Sequence, residues 1–80
     1  MRTIMLVDDS ATILLSISSI LSKAGYAVEK ASNAEIALGK FNAGTKVDLL
    51  VTDLNMPGMN GIEFIKLVRQ KAELRFMPIL

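Results

Sequence analysis

Three aspartates stand where a chain of this kind can use them for chemistry. Thr3-Ile4-Met5-Leu6-Val7 is a short apolar run ending in Asp8-Asp9, and Leu49-Leu50-Val51-Thr52 is a second run ending in Asp53. Near-continuous apolar runs of this length read as parallel strands covered on both faces, and Pro57, Gly58 and Gly61 stop any continuation of the second. All three carboxylates then lie at the carboxyl ends of strands, the rim at which open α/β sheets bind ligands. If the two strands are neighbours, Asp8, Asp9 and Asp53 converge on one crevice and repel each other, so the crevice needs a positive counter-charge. A hard divalent cation meets that need: Mg2+ takes oxygen ligands octahedrally, holds one or two carboxylates plus waters, and shares its sphere with phosphoryl oxygens. A carboxylate can also act as the nucleophile toward phosphorus, forming an aspartyl phosphate. Asp53, on the deeper strand and before a loop rich in Pro, Gly and Asn, is the candidate nucleophile.

The composition removes competing chemistries. There is no Cys and no His, which excludes thiolate metal sites, a disulfide scaffold and Ser-His catalysis. Nine basic residues against eight acidic give a net charge of +1, and the basic residues are scattered singly, so no field for nucleic acid is built. No apolar run approaches the ~18 residues of a membrane span. A cytoplasmic protein with no nucleic-acid or membrane partner is expected. Gly39-Lys40-Phe41-Asn42-Ala43-Gly44-Thr45-Lys46 resembles a Walker A loop with its last two residues exchanged, but it ends a helix and precedes a strand, the reverse of the required context. Gly58 and Gly61 lack the paired glycines of a dinucleotide fingerprint. Asp48 reads as a solvated turn residue, and Met56 and Met59 as packing.

The elements that must carry the acids follow from periodicity. Ser10 is an N-cap for a helix over Ala11 to Lys23, whose Ile13, Ile17, Ile20, Leu21 and Ala24 share one face, with Leu14 at its margin. Ser16, Ser18, Ser19 and Ser22 fill much of the rest, and Leu15, roughly 200° from Ile13 at ~100° per residue, points away from the core. Gly25 is a C-cap candidate, and Tyr26 to Ala31 is a second, edge strand. Ser32 or Asn33 caps a helix over Ala34 to Asn42 that packs through Ala34, Ala37, Leu38 and Phe41 and is weakened by about 1 kcal/mol at Gly39. Val47 to Thr52 is the third strand. Gly61 opens a helix over Ile62 to Lys71 with Ile62, Phe64, Ile65 and Val68 available for packing, and Phe76 to Leu80 reads as a fourth strand. The order β-α-β-α-β-α-β predicts right-handed parallel units with helices on both faces of one α/β sheet. Eighty residues allow one core, of net stability about 3–5 kcal/mol.

Val7-Asp8-Asp9-Ser10 together with Asp53-Leu54-Asn55-Met56-Pro57-Gly58-Met59-Asn60-Gly61 resembles the receiver domain of two-component response regulators, most closely the chemotaxis type. The resemblance implies a flavodoxin-like fold and a signalling domain rather than an enzyme. It implies that Asp53 is the phosphoacceptor, Asp9 a direct Mg2+ ligand, Asp8 a ligand through water and Asn55 a ligand through its backbone carbonyl. The phosphodonor would be a histidine kinase. An aspartyl-phosphate hydrolase would carry a second acid two residues after the nucleophile, where Asn55 stands. Receiver domains also carry a Ser or Thr ending the fourth strand and a Lys ending the fifth, and neither has a counterpart before Leu80. Residues 1–80 are therefore expected to form a single partial receiver domain, βαβαβαβ, with impaired phosphorylation and a tendency to homo-oligomerise through the sheet edge. The alternative is a truncated or engineered half-domain whose main property is self-association, with a vestigial acidic site.

Overall fold

The computed structural model describes residues 2–53 and 58–80. Strand β1 (Thr3–Val7) is followed by α1 (Ala11–Lys23), β2 (Ala27–Ala31), α2 (Ala34–Asn42), β3 (Leu49–Thr52), α3 (Gly61–Arg69) and a 3-10 turn at Ala72–Leu74. The strands are parallel in the order β2-β1-β3, with Val7 level with Ala31 on one side and with Thr52 on the other. This is the start of the expected flavodoxin-like order. Because the chain steps from β1 outward to β2 and then back across β1 to β3, right-handed crossovers put α1 on one face and α2 and α3 on the other. The alternation of β1 serves both layers: Ile4 and Leu6 pack with Leu14 of α1, while Met5 and Val7 pack with Leu50, Ala34, Ala37, Phe41, Phe64 and Val68.

Helices α1 and α2 start at predicted caps, and α3 at Asn60, a cap that the sequence reading did not single out. Ser10 Oγ accepts from Ile13 N at 3.3 Å, Asn33 Oδ1 from Ile36 N at 2.8 Å, and Asn60 Oδ1 from Glu63 N at 2.9 Å. Helix α1 ends with Gly25 N donating to Ser22 O and Tyr26 N to Leu21 O, the paired bonds of a Schellman motif, which need the left-handed φ of +97° that Gly25 adopts. Helix α2 ends the same way around Gly44, and of its expected packing residues it buries Ala34, Ala37 and Phe41 and half-buries Leu38.

The orientation of α1 departs from expectation. Leu14 and Ser18 are buried and Leu21 is half-buried, whereas Ile13, Ile17 and Ile20 are 44%, 37% and 67% exposed. Two adjacent stripes, each spaced i, i+4, i+7, compete for the sheet, and the crossover geometry sets Leu14 against Ile4 and Leu6. Burying Ser18 costs little because its hydroxyl donates to Leu15 O at 3.1 Å. Leu15 points outward as expected, at 67% exposure.

The remaining differences lie at element ends. Strand β2 begins at Ala27 and β3 at Leu49, both later than the apolar runs, and α3 stops at Arg69 with Ile62 exposed. Beyond α3 the 3-10 turn buries Leu74, and the Arg69 guanidinium donates to Leu74 O and Arg75 O at 3.0 Å each. The fourth strand reduces to one parallel bridge between Leu50 and Ile79, flanked by Leu50 N to Pro78 O, Leu80 N to Leu50 O and Thr52 N to Leu80 O bonds. Phe76 and Met77 are still leaving the turn, with Met77 N donating to Leu74 O, so pairing with β3 starts only at Pro78.

Candidate functional site

Strands β1 and β3 end level, and that places the acids. Asp53 N donates to Val7 O at 3.0 Å and Asp8 N to Ala31 O at 3.1 Å, which carries the ladders one residue past the strands and pins both aspartates at the rim. Carboxylate oxygens of Asp8, Asp9 and Asp53 all lie within 4.8 Å of one another. Asp8 and Asp53 are half-buried and Asp9 is exposed. Asp8 Oδ1 accepts from Ser10 N at 2.9 Å, so the residue that starts α1 also orients the acid, and Thr52 Oγ1 donates to Asp53 O at 3.2 Å.

The donor set suits a hard cation. Among the described residues it gathers carboxylate oxygens closely enough to share one ion, which matches Mg2+ rather than a metal that favours nitrogen or sulfur. The cavity of about 300 Å³ beside it has Asp8, Thr52 and Asp53 at one end and Ile13, Ile17 and Val51 along its wall. Asn55, the fourth residue of the expected ligand set, lies outside the described residues. Asp48 sits at the opposite end of the sheet, where its carboxylate accepts from Thr3 N at 2.8 Å and its own N–H donates to Thr3 O, a structural role in keeping with the sequence reading.

One neighbour of the site was missed. Glu35, in the first turn of α2, reaches the loop that follows Asp53: a Cβ placed on Gly58, whose φ is +79°, would lie 3.3 Å from Glu35 Oε2. Nothing in the local pattern signals this, because an exposed Glu early in a helix is explained by the helix dipole alone. The Walker-like stretch forms the end of α2 and its cap, as its context predicted. No helix among the described residues is long and apolar enough to cross a membrane.

The family model for the response regulator receiver domain matches residues 4–80. The chain is 37% identical over 78 residues to the chemotaxis protein CheY1 of Helicobacter pylori, a match covering 96% of this chain and 63% of that protein. The solved structure of the chemotaxis response regulator CheY4 of Vibrio cholerae matches with a TM-score of 0.93 and 40% identity, covering 99% of this chain and 65% of that one. TrrA of Thermotoga maritima, solved in complex with Mg2+-BeF, matches with a TM-score of 0.84 and 36% identity over 91% of this chain and 63% of its own. A further match is the complex of TrrA with the histidine kinase ThkA, with a TM-score of 0.87 and 34% identity, covering 99% of this chain and 66% of that one. The chain thus spans about 63% of the length of the curated relative and 65% of the CheY4 chain. Sheet order, acidic rim and sequence agree, and the chain belongs to the response regulator receiver domain family, with its flavodoxin-like fold.

Proposed function

We propose that this receiver domain takes a phosphoryl group onto Asp53 from the phosphohistidine of a histidine kinase. The observation that carries this is the meeting of Asp8, Asp9 and Asp53, from two strand ends, within 4.8 Å. The complexes of TrrA with Mg2+-BeF and with ThkA support it by kinship. In this reading Asp8, Asp9 and Asp53 would hold Mg2+, Asp9 directly and Asp8 through water, and Asp53 would be the acceptor of the phosphoryl group. Mg2+, when bound, neutralises the carboxylates and the oxygens of the group in transfer. The Asp53 oxygen forms the new P–O bond as the P–N bond to the kinase histidine breaks, and the imidazole leaves with that electron pair. The chain is a phosphoacceptor and not a hydrolase, and it works in the cytoplasm.

The test compares the 80-residue chain with a chimera in which the C-terminal third of Vibrio cholerae CheY4 follows Leu80. Acetyl phosphate with Mg2+ labels the chimera with a hydroxylamine-sensitive phosphate, Asp53→Asn abolishes the label, and the 80-residue chain is labelled weakly. A chimera that stays unlabelled, or a label that survives Asp53→Asn, refutes the assignment. For the metal, Asp9→Asn weakens Mg2+ binding by calorimetry, and an unchanged affinity removes Asp9 from the ligand set.

A second reading rests on the α1 face. Ile13 and Ile17 stand exposed around the cavity they share with Val51 of β3, and Val51 is only half-buried, although parallel sheets are ordinarily covered on both faces. Two copies that pair through this face cover it, with two-fold closure the commonest solution. Sedimentation equilibrium at micromolar concentration checks this: a monomer whose melting temperature does not move with concentration refutes it.

A further inference from the structure

The open edge of β2 carries a second groove, whose lining shares no residue with the cavity beside the acids except Leu14. In a parallel pair the N–H and C=O of one residue point to the same neighbour, and successive residues alternate. Ala27 N donates to Arg2 O and Ala31 O accepts from Asp8 N, so Ala27, Glu29 and Ala31 turn their backbones toward β1. Val28 and Lys30 therefore direct N–H and C=O outward, and among the described residues no strand pairs with them. Along this edge runs a groove of about 460 Å³ that straddles the sheet, with Leu15 of α1 on one side and Ile36 and Lys40 of α2 on the other.

Each side offers one apolar and one cationic contact. Lys30 stands level with Leu6, whose side chain packs on the α1 face, so the Lys30 side chain shares that face with Leu15, which is 67% exposed. On the other face Ile36 is 44% exposed and Lys40 pairs with Glu29 at 3.1 Å. Lys30 has no ion pair among the described residues, and the groove lining includes two lysines and no carboxylate.

We propose that this groove takes, as an added strand on β2, an extended peptide segment in which two apolar residues are followed by two acidic ones, so that each face of the strand presents one of each. The outward N–H and C=O of Val28 and Lys30 supply the ladder, Leu15 and Ile36 the apolar contacts, and Lys30 and Lys40 the charge selection. Another polypeptide fits better than a second copy of this chain, because antiparallel pairing of two β2 strands over their full length sets Glu29 opposite Glu29, a like-charge contact. The outward-facing leucine on α1, unused by the core and by the acidic site, gains a role.

The test is a titration of the 15N-labelled chain with the capped tetrapeptide Leu-Leu-Glu-Glu, against Leu-Leu-Lys-Lys. The acidic peptide shifts the amides of Val28, Lys30 and Ser32 saturably and binds at least tenfold more tightly than the basic one. Lys30→Glu weakens it tenfold or more, and Leu15→Ser, which touches no core residue, weakens it severalfold without changing the melting temperature. Shifts that avoid β2, equal binding of the two peptides, or β2 amides that move with protein concentration in the absence of peptide each overturn the proposal, the last by naming a second copy as the occupant.

Discussion

Replacing Asp53 by Asn keeps the shape of the side chain and removes a charge, and the structure predicts that it stabilises the metal-free fold. Folding brings Asp53 within 4.8 Å of both Asp8 and Asp9, which are distant from it in the unfolded chain, whereas Asp8 and Asp9 are neighbours in both states and their repulsion largely cancels. Two unit charges at 4.8 Å repel by about 0.9 kcal/mol at the dielectric constant of water. The two pairs that Asp53 makes then sum to about 1.8 kcal/mol, and at 0.15 M salt, with a Debye length of about 8 Å, roughly half remains. Asp53→Asn should raise stability in EDTA by about 1 kcal/mol, which for a chain of this size is a rise of about 4–8 °C in melting temperature. With Mg2+ the order reverses. At ten times its dissociation constant the ion stabilises the parent by about 1.4 kcal/mol. The Asp53→Asn chain has lost a ligand and gains less. Thermal melts followed by circular dichroism at 222 nm, in EDTA and in MgCl2, read both effects. Asp48→Asn is the matched control: this carboxylate accepts from Thr3 N at the far end of the sheet, so the same change there lowers stability, by up to about 1 kcal/mol. If Asp53→Asn melts at or below the parent in EDTA and gains as much from Mg2+, the acids do not repel in the folded state and share no ion.

The packing makes further predictions. Leu14→Ala, at the contact of α1 with Ile4 and Leu6, should cost about 2–4 kcal/mol in urea denaturation. Ile13→Ala, one residue away but 44% exposed, should cost under about 1 kcal/mol, and equal costs would mean that α1 is rotated from the orientation described. Phe64, fully buried between the sheet and α2, is worth about 3–5 kcal/mol, so Phe64→Ala should leave the chain without a cooperative melt. Gly39→Ala, inside α2 where an added Cβ meets nothing within 4 Å, should stabilise by about 0.4–1 kcal/mol, read as a shift of the urea midpoint at constant slope.

What the sequence determined by itself was the order of the elements and the rim that carries the acids. Apolar runs that end in Asp8-Asp9 and Asp53 place carboxylates at strand ends whatever the packing, and Ser10 and Asn33 start helices by accepting bonds from the N–H groups three positions on. These are local effects, set by backbone geometry and short-range hydrogen bonding. What only the tertiary structure decided was which of two equivalent stripes on α1 meets the sheet, that Glu35 leans on the loop at Gly58, and where the segment after Phe76 begins to pair with β3. The stripes through Ile13 and through Leu14 have the same period, so periodicity cannot rank them. The choice is made by the crossover from β1 to β2, which fixes the rotation of α1 over Ile4 and Leu6 and tolerates a buried Ser18 because its hydroxyl finds Leu15 O. The closeness of the three acids had the same origin: it needed β3 beside β1 and level with it, a non-local pairing that no window of sequence contains.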